Sequence, residues 1–178
     1  MSHALKIGLS LPAYKRRARQ LAVKFLSLAM LQYRRIFKGS VMPQVNRSAL
    51  VMFSARQMYD LVNDVASYPQ FLPGCVGSRV VSVDENVMIA SVDVAKVGIS
   101  KTFTTRNTLI ENERVDMQLV DGPFKLLEGG WTFLSLDDNA CKVSLDLVFE
   151  FDNKLAEFAF GKIFKELAGN MVSAFSER

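Results

Sequence analysis

Chemistry that depends on an imidazole has little to work with here, because the only histidine of the 178-residue chain is His3. From residue 42 onward no side chain can complete a Ser-His or Cys-His pair or join a histidine metal shell. The two cysteines, Cys75 and Cys141, lie far apart with no CxxC or Cys/His spacing. That argues against zinc and against a disulfide-stapled secreted fold, and fits a reducing compartment. Gly98-Ile99-Ser100 lacks the second glycine of a GxSxG nucleophile elbow. What remains is binding chemistry. Lys96, Lys101 and Arg106 can meet phosphates of RNA or of lipid head groups, or can be scattered charges on a wet strand face. Large apolar side chains (Phe71, Leu72, Val97, Ile99, Phe103, Phe124, Trp131, Phe160, Phe164 and Leu167) can wall an apolar cavity, or can simply fill a core.

These residues need elements to position them, and the stretch Lys154–Arg178 organises the rest. At helical spacing Ala156, Phe160, Ile163, Phe164, Leu167, Met171, Ala174 and Phe175 share one face, with Lys162, Lys165, Glu166, Ser173 and Ser176 opposite. Covering that face would stabilise the fold by about 1.5 to 3 kcal/mol per large side chain. Gly161 and Gly169 weaken the helix unless another segment or a ligand approaches there closely.

The cover is supplied by period-2 segments. Val45–Phe53 reads as a first strand, and Ser54 caps a short helix that breaks near Asp64. Val65–Cys75 carries two prolines and a glycine and reads as a short helix passing into a loop. Val76–Val83 and Val87–Val94 form a hairpin. Lys101–Ile110 is a strand with Phe103, Thr105 and Asn107 on one side and Thr102, Thr104 and Arg106 on the other. Arg114–Asp121, Lys125–Leu136 and Ala140–Asp152 follow, the last alternating cleanly between Val143, Leu145, Leu147, Phe149, Phe151 and their wetter neighbours. The expected architecture is α+β, a curved antiparallel sheet wrapped around one long C-terminal helix.

Charge divides the chain. Residues 1–41 hold nine Lys or Arg and no acid, which leaves 13 basic against 18 acidic residues, or −5, for residues 42–178. The leader reads as a basic amphipathic helix whose apolar run, Leu21–Leu31, is interrupted by Lys24 and falls short of the ~20 residues of a membrane span. Three readings stay open for it: a helix lying on an anionic membrane surface, a transit peptide, or an upstream extension outside the working protein. It is expected to be dispensable for folding.

The element order, together with the strings SYPQFLPGC, KVGISKTFTTRN, DGPFKLLEGGW and FKELAGNMV, resembles the START-like helix-grip family. Within it the match is to the RatA-type ribosome association toxins and the related coenzyme Q-binding proteins. The resemblance covers residues 42–178 and implies that members begin near Met42-Pro43-Gln44 and run somewhat past Arg178. It implies a non-enzymatic protein without a required cofactor, cytoplasmic or peripheral at the inner membrane, that binds the large ribosomal subunit and blocks subunit association, with an antitoxin protein as a further partner. The alternative branch implies a ubiquinone-binding chaperone supporting respiration, with the apolar residues above lining its cavity. In that branch a Trp usually follows the second proline of the loop, where this chain has Gly74; the departure leans toward the toxin branch. A polyketide cyclase-like enzyme shares the fold, but no acid/base pair is evident here.

Overall fold

The computed structural model describes residues 42–96 and 98–178, so the three readings of residues 1–41, and the placement of Val97, lie outside the described residues. The elements run β1 (Gln44–Val51), α1 (Ala55–Asn63), a 3-10 turn (Val65–Gln70), β2 (Cys75–Asp84), β3 (Val87–Lys96), β4 (Ile99–Ile110), β5 (Arg114–Asp121), β6 (Phe124–Asp137), β7 (Ala140–Phe151) and α2 (Lys154–Ser176). The seven described strands join one antiparallel sheet in the order β1-β7-β6-β5-β4-β3-β2, so β1 closes against β7.

Local chemistry sets the helix ends. Ser54 Oγ accepts from Gln57 N while Gln57 Oε1 accepts from Ser54 N, a reciprocal cap that starts α1 where the sequence places it. Asn153 Oδ1 accepts from Ala156 N at 2.9 Å and starts α2. β1 stops at Val51, two residues sooner than expected, because the β1–β7 ladder ends with Val51 opposite Cys141.

The sheet curls through extra residues in β2, β5 and β6 and through the pair Gly129-Gly130 in β6. Both glycines sit at positive φ (+134° and +158°), and a Cβ at either would overlap backbone carbonyl oxygens of the flanking strands, Asp146 for Gly129 and Val115 for Gly130. The inner face of the curl receives α2. Phe160, Phe164, Leu167, Ala168, Val172 and Phe175 are buried there, and Lys162, Lys165, Glu166 and Ser173 stay exposed. Gly161 belongs to the covered face: a Cβ there would lie 3.3 Å from Phe151 Cε2, so the close approach anticipated from the sequence is made by the sheet. Gly169 is under no such constraint, its added Cβ meeting only Arg47 Nη2 at 3.7 Å.

Candidate functional site

Between α2 and the sheet the packing is incomplete. Near Phe124 it is dense: that ring lies 4.7 Å from Phe164, 5.0 Å from Phe151 and 6.1 Å from Phe160, centroid to centroid. Further along the helix a cavity of about 50 Å³ opens. Its walls come from the 3-10 turn and the loop after it (Val65, Tyr68, Leu72), from β3 to β7 (Ala90, Val92, Phe103, Thr105, Asn107, Met117, Leu127, Trp131, Leu147) and from α2 (Phe164, Leu167, Ala168, Met171). The curl makes this gap, because a sheet bent around a straight helix cannot stay in contact along its whole length.

Of the apolar residues singled out in the sequence, Leu72, Phe103, Trp131, Phe164 and Leu167 line the cavity. Phe124 and Phe160 are fully packed core, locked in the phenylalanine cluster. Phe71 packs beside the cavity rather than in it, edge-on to Tyr68 and Phe175, with the Arg178 guanidinium 5.3 Å from its ring centre. Ile99 is half-buried at the start of β4, opposite Lys96, and does not reach the cavity.

The polar groups at the wall were not anticipated as site residues. Asn107 and Thr105 sit on the inner face of β4, both about 5% exposed, and Asn107 Oδ1 has no hydrogen-bond partner among the described residues. The sequence signal was present, since both alternate with Phe103. Tyr68 is spent elsewhere, its hydroxyl donating to Val62 O at 2.5 Å, and burial pushes its pKa well up. Among the described residues none that lines the cavity carries a charge.

The basic residues do not form one patch. Lys96 Nζ lies 2.6 Å from Glu166 Oε1 of α2, and Lys162 on the same helix adds to the positive field that, after the Lys96 hydrogen bond, lowers the Glu166 pKa. Lys101 is exposed two residues before Phe103, whose ring meets Phe164 of α2 at 5.8 Å, so it stands at the rim beside the helix. Arg106 points to the opposite, outer face of β4, five residues or about 17 Å along the strand. Arg79, also outward, pairs with Asp93 at 3.5 Å. The structure therefore brings Lys96 and Lys162 together at Glu166, leaves Lys101 and Lys165 exposed on β4 and α2, and sets Arg106 on the other face of the sheet.

Both thiols are buried and free, and burial raises their pKa values, which works against a nucleophilic thiolate at neutral pH. Among the described residues no three His, Cys, Asp or Glu side chains converge on a metal position, and no helix is long and apolar enough to cross a membrane.

The family described as polyketide cyclase / dehydrase and lipid transport matches residues 51–176. The chain is 62% identical over 138 residues to the ribosome association toxin RatA of Escherichia coli (strain K12), covering 78% of this chain and 87% of that one. It is 31% identical over 144 residues to the mitochondrial coenzyme Q-binding protein COQ10 homolog B of Xenopus laevis, covering 79% of this chain and 59% of that one. Among solved structures, the Zhui aromatase/cyclase from Streptomyces sp. R1128 superposes with a TM-score of 0.68 at 15% identity, over 77% of this chain and 93% of that one, which shows the shared fold.

Proposed function

Because the chain belongs to the polyketide cyclase / dehydrase and lipid transport family, we propose that it acts there as a non-enzymatic ribosome association toxin, binding the large ribosomal subunit and keeping the small subunit from joining it. The observation that carries this reading is the 62% identity, over 138 residues, to a protein of that name. The charge distribution constrains how such binding works. With −5 over residues 42–178, broad attraction to RNA is unavailable, and contact depends on a local basic rim plus shape. Inhibition of initiation follows directly, since an occupied joining face cannot receive the small subunit. The test is co-sedimentation of the full chain with separated large and small subunits. Binding to the large subunit with loss of subunit joining is expected, and absence of binding to the large subunit overturns the reading.

A second reading is favoured by the cavity itself: an uncharged, mostly apolar space under α2 suits the ring of a quinone such as ubiquinone, and a coenzyme Q-binding relative shares the fold and 31% identity. At about 50 Å³ the space is closed down, so a ring enters only if its walls part. Leu167→Trp fills the space from the helix side, at a cost of about 1 to 3 kcal/mol from overpacking. The variant is expected to lose quinone from organic extracts of protein prepared in quinone-rich cells. Wild-type extracts free of quinone would remove this reading.

A further inference from the structure

The cavity contains one feature that apolar packing does not explain. Asn107 is about 95% buried, lines the cavity, and leaves Oδ1 without a donor. A buried amide oxygen without a partner opposes folding, and most native structures remove it. Asn63 Oδ1 is also unpartnered, but its Nδ2 donates to Tyr59 O and it does not border the cavity. We propose that Asn107 is the recognition point of the cavity, and that its ligand is a neutral, largely apolar ring carrying a hydroxyl or carbonyl oxygen. This rests on the cavity-binding reading and goes beyond it by naming the residue and the head-group chemistry.

The surroundings narrow the ligand. With no charge among the described lining residues, a phosphate or carboxylate head would be buried there without a counter-charge, so the head is neutral. Tyr68 has no proton to offer it, since its hydroxyl donates to Val62 O. An amide offers both functions: Oδ1 accepts from a hydroxyl and Nδ2 donates to a carbonyl, so one side chain reads a phenol, a hydroquinone or a quinone. Thr105, two residues along the same face, sets a hydroxyl beside it. The rest of the wall suits a ring. In register Asn107 lies between Met88 and Met117, and Met117 and Met171 line the cavity while keeping partial exposure. Their unbranched thioethers can swing aside and widen a space that otherwise holds only about three to five waters.

The test uses two probes that differ by one oxygen, 4-propylphenol and propylbenzene, with decylubiquinone as a third, titrated into the full chain by calorimetry. Trp131, the only tryptophan, lies in the wall and reports occupancy by its emission. The wild type is expected to bind the phenol about tenfold or more tightly than the hydrocarbon. Asn107→Leu, similar in size and without polar atoms, is expected to bind the two equally and, unliganded, to melt no lower than the wild type. Should it fail to fold, Asn107→Ala reads the same loss of preference. Wild-type binding without preference, or a preference kept in the variants, overturns the role of Asn107 while leaving the cavity reading intact. Failure of all three probes to bind overturns both, and would mean that Asn107 is satisfied by buried water only.

Discussion

The Lys96 ammonium donates to Glu166 Oε1 at 2.6 Å, tying the end of β3 to the middle of α2 across the rim of the cavity. Hydrogen bonding and charge from Lys96 lower the Glu166 pKa, so the pair's contribution is fully present above the ordinary carboxylate pKa of about 4.3 and is lost as pH falls through the lower folded value. Both side chains are close to half exposed, so the contribution is small. Urea unfolding between pH 3 and 6 should show a slightly steeper acid loss for the wild type than for Lys96→Ser. Identical pH profiles would mean that the pair is absent in solution.

Tyr68 supplies an alkaline counterpart. Its pKa is raised, chiefly by burial, so the folded state keeps its proton where the unfolded chain has released it. Stability contributed by the phenol is therefore fully present below the unfolded value of about 10 and is lost as pH rises through the folded one. Tyr68→Phe is expected to cost about 1 kcal/mol near neutrality by leaving Val62 O without its donor, and to flatten the decline above pH 10. Parallel alkaline profiles for the two proteins would refute the assignment.

Gly129 and Gly130 are where the curl is most constrained. Because an added Cβ at either meets a neighbouring strand's backbone and not a movable side chain, Gly129→Ala and Gly130→Ala should each destabilise the protein by more than about 2 kcal/mol. Denaturant midpoints close to wild type would show that the sheet can flatten there. Gly169→Ala serves as the control: it faces only Arg47 at 3.7 Å, and helix propensity predicts a gain of up to about 1 kcal/mol.

Much of this was readable from the residues. The strict alternation of Val143, Leu145, Leu147, Phe149 and Phe151 assigns β7 its buried face, and the spacing of Phe160, Phe164, Leu167 and Phe175 assigns α2 its covered one. Depth was not readable, because alternation gives a face and not what lies across from it. Phe124 and Leu127 have opposite parity in sequence, yet the bulge between Phe124 and Leu126 buries both, one locked among phenylalanines and the other bordering the cavity. Alternation sets Asn107 on one side with Phe103 and Thr105, but only the structure shows that this side faces inward and that no described group satisfies its Oδ1. The separation of Lys101 from Arg106, by contrast, follows from strand geometry alone, since five residues along a strand reverse the face.

On the proposed toxin reading, that separation bears on where a ribosome contact would lie. If RNA phosphates meet the helix rim, Lys101, Lys162 and Lys165 act together, while Lys96 is already partly neutralised by Glu166 and Arg106 faces away. Replacing Lys101, Lys162 and Lys165 together by Ser should abolish co-sedimentation with isolated large subunits, whereas Arg106→Ser should bind as the wild type does. Neither change should disturb folding, because exposed surface substitutions usually stay within about 0.5 kcal/mol each. About three phosphate contacts imply a log-log salt slope near −2 to −3 for residues 42–178 prepared without the nine basic residues of 1–41, much shallower than for a general nucleic-acid binder. A dominant effect of Arg106→Ser would move the contact to the outer face of the sheet. A slope several-fold steeper would require charges beyond this rim, and the rim assignment would fail.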